Sequence, residues 1–226
     1  MCMYLVRFLI ILAFLGAGIF GSCSSYQYSH KDPTMSHYEG DMVKAVVNGD
    51  RRTLATLVDR GCTVNFQSAD GTSLLMRAVF RDNCDMVDDL LRYGADPNLA
   101  DGTGLSSLMV ASDGGHSSIV TKLLKAGAKV DQSDNNGTTA LSYATKPGPF
   151  QAEIIRILID KGANVNKHDG GINKAPPLFR AFAANAFDLA DILLRHGADI
   201  KARDGYGNSI DHYLTDVGKV WLSNHK

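Results

Sequence analysis

The chain has 226 residues, 45% of them hydrophobic and 21% charged, with 23 Lys and Arg against 24 Asp and Glu and a formal charge of −1. That composition is rich enough for a sizeable core and excludes a disordered or collagen-like chain. A surface so near neutrality offers no broad positive field, which argues against nucleic acid as a partner.

The first residues do not read as part of a fold. A short start with one cation, Arg7, leads into an apolar stretch from Phe8 to Phe20, followed by Gly21, Ser22 and Cys23. This is the layout of a secretory signal peptide, residues 1–22, and its apolar run falls short of the roughly 20 residues a membrane span needs. The run Phe20-Gly21-Ser22-Cys23 resembles the lipobox of bacterial lipoproteins, in which the cysteine becomes the first mature residue and carries a diacylglycerol on its thiol. Phe20 departs from the aliphatic residue usual at that place. The resemblance implies lipidation at Cys23, an anchor facing the periplasm and, from Ser24 after the cysteine, delivery to the outer membrane. Two other readings of the same residues are an uncleaved anchor helix and ordinary cleavage nearby that leaves a soluble periplasmic or secreted protein. Cleavage before Cys23 would remove Arg7 and no acid, leaving 22 bases against 24 acids and a charge of −2.

Residues 23–36 are polar, carry Pro33 and show no apolar period, which predicts a flexible tether. With Cys2 and Cys23 assigned to the leader and the anchor, Cys62 and Cys84 remain for the fold. The register below places them at opposite ends of their repeats. An intervening helix of about ten residues is about 15 Å long, beyond the roughly 4.4 to 6.8 Å between Cα atoms that a disulfide needs, so two free thiols are expected.

From residue 37 a glycine-led motif recurs: Gly61-Cys62-Thr63-Val64-Asn65, Gly94-Ala95-Asp96-Pro97-Asn98, Gly127-Ala128-Lys129-Val130-Asp131, Gly162-Ala163-Asn164-Val165-Asn166 and Gly197-Ala198-Asp199-Ile200-Lys201. The spacings are 33, 33, 35 and 35 residues, and an aliphatic pair precedes each glycine at one offset, from Leu57-Val58 to Leu193-Leu194. A fixed period of this length marks a repeat architecture. Upstream, Gly71-Thr72-Ser73-Leu74-Leu75-Met76-Arg77-Ala78 recurs as Gly104 to Ala111 and Gly137 to Ala144, and Gly115-His116 precedes Ile119-Val120.

These segments resemble the ankyrin motifs G-x-T-P-L-H-x-A and G-H-x-x-I-V, over about residues 38–216, although most of the family's histidines and prolines are replaced. The resemblance implies an all-α ankyrin-repeat solenoid, paired antiparallel helices with β-hairpin-like fingers. The repeats fall near 37–66, 67–99, 100–132, 133–167 and 168–202, with a cap at 203–226. Ser73, Ser106 and Thr139 are the predicted N-caps of first helices. Leu75, Leu108 and Leu141, with Ala78, Ala111 and Ala144, are the predicted core, and the glycine after each second helix is its left-handed stop. Repeat four carries an insertion around Lys146-Pro147-Gly148-Pro149-Phe150, and repeat five a longer finger from His168 to Ala175. In the cap, Asp211 stands where a leucine is expected, which predicts a terminal unit turning polar residues outward.

No chemistry-bearing pattern accompanies the repeats. The seven histidines form no H-x-x-x-H pair, there is no C-x-x-C, and the G-x-G fragments at Gly102 and Gly205 lie in finger turns, so no metal, cofactor or catalytic triad is implied. Adjacent Asp211 and His212 read as solvated cap residues, and His116 as structural. The resemblance instead implies a non-enzymatic, monomeric module that binds a protein through its concave face. Position by position, that face maps onto Ala69, Asp70, Thr72, Phe80 and Arg81; Thr103, Leu105 and Asp113; Asn135, Asn136, Thr138 and Lys146; and Tyr206 and Asn208. Phe80, Arg81 and Tyr206 carry the residue types enriched in interface hot spots, although Phe80 can equally be read as packing on a neighbouring first helix. The competing reading is a pocket at the irregular repeats, with Lys146, His168 and Asp169 as its titratable groups.

Overall fold

The computed structural model describes residues 33–170 and 174–224. The lipidation site expected at Cys23 and the leader before it lie outside the described residues. Helices come in consecutive pairs: α1 Pro33–Asn48 and α2 Arg51–Asp59, α3 Leu74–Phe80 and α4 Cys84–Arg92, α5 Ser107–Gly114 and α6 Ser117–Lys125, α7 Ala140–Tyr143 and α8 Gln151–Asp160, α9 Pro177–Ala183 and α10 Phe187–Arg195. A 3₁₀ turn, Ile210–Tyr213, and α11, Asp216–Asn224, form the sixth unit. This is the expected five-repeat all-α solenoid with its cap.

The local causes are those the repeat motif carries. Ser73, Ser106 and Thr139 are extended, and their side-chain oxygens accept from the N–H groups of Met76, Met109 and Ser142, capping α3, α5 and α7. Pro177 opens α9 without a side-chain cap; its fixed φ suits a first helical turn. In repeats two to five the first helix and its C-cap bury a leucine (Leu75, Leu108, Leu141, Leu178) and an alanine (Ala78, Ala111, Ala144, Ala181) at matching positions. The alanine row admits the neighbouring backbone, and each leucine contributes about 1.5 to 3 kcal/mol on burial. Of each aliphatic pair on a second helix only the first member is fully buried, as in Leu90 and Leu123, while Leu91 and Leu124 stay half-buried.

The asparagine that closes the glycine motif is a clamp between repeats. Asn98 Nδ2 donates to the Gly127 carbonyl at 3.1 Å, and its Oδ1 accepts from Lys129 N at 2.8 Å. Asn65 does the same to Gly94 and Asp96, and Asn166 to Gly197 and Asp199. In repeat three the residue is Asp131, whose carboxylate accepts from Asn164 N at 3.1 Å and has no N–H to give to Gly162. On the helix side, His116 Nδ1 lies 2.9 Å from Asp82 Oδ1 of the preceding repeat. Its ring covers Gly114, where a Cβ would come within 2.3 Å of it. Buried Asp89 is held by Arg51 and Arg92, and Lys122 reaches Asp88 at 2.6 Å.

Helix α1 begins at Pro33, four residues inside the segment read as a tether, because proline is compatible with a first helical turn. The cap does place Asp211 outward, but it also exposes Val217 at 65% and Val220 at 61%. Its inner side is held by Trp221, stacked 5.8 Å from Phe187 and edge-on to Phe182 at 5.6 Å. Cys62, after α2, and Cys84, at the start of α4, are free thiols, and burial pushes the Cys84 thiol up. Among the described residues no helix is long and apolar enough to cross a membrane.

Candidate binding surface

Three of the fingers are tight turns closed by one antiparallel bridge each: Gln67 with Ser73, Ala100 with Ser106, Ser133 with Thr139. Successive fingers stack backbone to backbone at their glycines. A Cβ on Gly137, whose φ is 72°, would stand 1.9 Å from the Gly170 nitrogen. Only glycine satisfies both the left-handed backbone and that approach.

At the base of each finger one polar residue recurs: Ser68, Asp101, Asp134, Asp169, Asp204. Asp134 Oδ1 accepts the Asn136 and Thr138 N–H groups at 2.8 Å. Asp204 Oδ1 accepts those of Tyr206 and Asn208 in the same way. The first-helix residue four places after the N-cap reaches back to this group. Arg77 donates to Ser68 Oγ at 2.6 Å, Tyr143 OH to Asp134 Oδ2 at 2.8 Å, and Tyr213 OH to Asp204 Oδ2 at 2.6 Å. Repeat three has Val110 there, and Asp101 instead takes Thr103 N, Leu105 N and the Thr103 hydroxyl. In repeat five Asp169 accepts Ser142 Oγ at 3.0 Å and pairs with Arg180 Nε.

The electrostatics follow the bonding. Burial and the bond to Asp134 push the Tyr143 phenol up to about 12, and burial with the bond to Asp204 does the same at Tyr213. Burial pushes the Asp204 carboxyl up, but the donors from Tyr213 and Asn208 outweigh it and hold the group below the usual range. For Asp169 burial wins over Arg180, and its carboxyl is raised. Bonds from Ser68 and Thr72 hold Asp70 at about 2.

A groove of about 620 Å³ runs along the fourth and fifth repeats, lined by Asp134, Asn136, Thr138, Tyr143, Asp169, Lys174, Arg180 and Tyr213 among others. Of the residues mapped from sequence, Asn136 and Thr138 line this groove, Thr138 on its buried floor. Phe80 is 59% exposed and Tyr206 63%, so Phe80 is not consumed by packing on a neighbouring helix. Arg81 and Thr103 are exposed, and Ala69 and Asp70 lie at the second finger turn. Thr72 and Leu105 are half-buried in their fingers. Asn135 is engaged with the third finger, its N–H on Thr103 O at 2.9 Å and its amide on Gly102 O at 3.1 Å. Asn208 bonds Asp204 at 3.0 Å, and Asp113 pairs with Lys146 at 2.6 Å. Of the three groups named for a pocket, Asp169 lines the groove; Lys146 and His168 do not, and His168 Nδ1 lies 2.7 Å from the Lys174 carbonyl in its own finger. Sequence reading missed Tyr143, Lys174, Arg180 and Tyr213. The signal for three of them was their shared position four residues after the helix N-cap.

Among the described residues no three His, Cys, Asp or Glu side chains stand together to hold a metal ion. A family model for ankyrin repeats, in a block of three copies, matches residues 42–134 and again residues 108–204. These overlapping matches cover most of the described solenoid and agree with its helix pairs, capped first helices and stacked fingers. The chain belongs to the ankyrin-repeat family.

Proposed function

We propose that this chain is a non-enzymatic binding module that holds a protein partner on the face made by its finger turns and first helices. Ankyrin repeats serve for the most part as protein-binding modules. The observation that carries the reading is the exposure of Phe80 and Tyr206 on those elements, since large aromatic side chains left in water are the usual anchors of an interface. The proposal includes export and a lipid anchor at Cys23, supported by the leader sequence and the Phe20-Gly21-Ser22-Cys23 run. In that setting the specific role we favour is an immunity or inhibitor protein against a toxin delivered to the periplasm.

The test is an affinity capture from bacterial envelope extracts with the full chain carrying a C-terminal tag, beside a Phe80→Ala, Arg81→Ala, Tyr206→Ala variant. A stoichiometric protein retained by the wild type and lost by the variant is the expected result. A foreign hydrolytic or toxic enzyme supports the inhibitor role, a resident envelope protein points to a scaffold instead, and equal retention by both chains removes this face from the reading. Labelling with a palmitate analogue addresses the anchor: label lost in Cys23→Ser supports it, and an unlabelled wild type sinks it.

A further inference from the structure

The groove between the fourth and fifth fingers has acceptors that are closed and donors that are open. Asp134 accepts from two backbone N–H groups and the Tyr143 hydroxyl. Asp169 is 4% exposed and spends its carboxylate on Ser142 and Arg180. Arg180 uses only Nε for that pair: its side chain is 44% exposed, and its two terminal nitrogens make no hydrogen bond among the described residues. Lys174 lines the same groove, its aliphatic stem against Gly205 and its ammonium without an ion-pair partner among the described residues. The guanidinium is therefore oriented from behind by a buried carboxylate and offers a two-nitrogen edge, with a second cation, Lys174, and the Tyr143 and Tyr213 side chains lining the same groove. A planar donor fork of this kind matches a carboxylate.

We propose that this groove receives an Asp or Glu side chain of an extended segment of the protein partner, with Arg180 gripping the carboxylate, Lys174 adding charge and Asp169 acting as a positioning residue. The proposal rests on the binding-module reading above and adds the chemistry of what is read. A partner carboxylate held by two charged donors that are otherwise solvated gains about tenfold or more in affinity over its amide.

The experiment is selection of a displayed random peptide library on the immobilised full chain, followed by affinity measurement of an enriched peptide and of its Asp→Asn or Glu→Gln counterpart. We expect one acidic position to be enriched and the amide counterpart to bind the wild type about tenfold more weakly. Arg180→Lys keeps a cation against Asp169 and removes the fork, so it should bind both peptides alike. Lys174→Gln, at an exposed side chain that leaves the core untouched, should narrow the difference severalfold and serves if Arg180→Lys folds poorly. Enrichment without an acidic position, no enrichment at all, or an acid-to-amide loss that persists undiminished in both variants overturns the inference. The envelope capture separates the two claims: a partner retained by Arg180→Lys and Lys174→Gln but lost by the Phe80, Arg81, Tyr206 variant leaves the binding module standing and removes the carboxylate subsite.

Discussion

Repeats two and three differ from repeats four and five in where their polar groups are spent. In the first pair the spacing holds at 33 residues, and each finger base is satisfied within its own repeat, Ser68 by Arg77 and Asp101 by its own turn. In the second pair the spacing widens to 35, the fifth finger is longer, and its Asp169 recruits a serine from the preceding repeat and an arginine from its own first helix. Regularity consumes donors and acceptors; irregularity leaves some facing outward. A groove with open donors therefore appears where the repeat is least ideal, which is also where loops carry specificity.

Three experiments sharpen that contrast. The largest effect is expected at the junction of the fourth and fifth fingers: Gly137→Ala meets both a left-handed backbone and the Gly170 nitrogen at 1.9 Å. Strain and overpacking together should cost about 3 kcal/mol. Gly162→Ala, also left-handed but with nothing within 4 Å of its Cβ, should cost only about 1 kcal/mol. Urea midpoints of the two variants check the difference, and equal losses would mean the fingers are not stacked as described.

Next in size is the alkaline limb of stability. Tyr143 and Tyr213 titrate at about 12 in the folded chain against 10.0 ordinarily. The folded state thus keeps protons that the unfolded state releases. The contribution is full below pH 10 and is lost as pH rises from about 10 to about 12. Tyr143→Phe with Tyr213→Phe should flatten that decline and delete the late tyrosinate absorbance, measured by denaturation at pH 9 and pH 11. An unchanged slope would show that these phenols are not holding the finger bases. The smallest effect is a gain: Asp131→Asn restores the missing donor toward Gly162 and should stabilise by about 0.5 to 1.5 kcal/mol, read as a raised urea midpoint.

The period was legible because it rests on backbone demands. Gly61, Gly94, Gly127, Gly162 and Gly197 all have φ between 85° and 91°, a conformation that few other residues accept, and Ser73, Ser106 and Thr139 fill a position whose need for an acceptor is purely local. The finger acids Asp101, Asp134, Asp169 and Asp204 were equally periodic, yet for the last three the meaning depends on a donor nine or eleven residues ahead, and Tyr143 or Arg180 reads in isolation as an ordinary surface side chain. Several residues mapped to the face by family position, Asn135 and Asn208 among them, turn out to hydrogen-bond their own or a neighbouring finger, because short polar side chains in turns find backbone partners before they reach solvent.

The asparagine clamp has a consequence for how such a chain can change. Because Asn65, Asn98 and Asn166 each grip the next unit through the carbonyl of a glycine and the backbone N–H two residues later, the joint makes almost no demand on the side chains of the unit it receives. At this clamp the units are interchangeable parts, while the helix-side pairs Arg51–Asp89, His116–Asp82 and Lys122–Asp88 stay specific to their own seams. The joint after Asp131 is the exception, held by acceptance alone, and it falls where the regular half of the array gives way to the half that carries the groove.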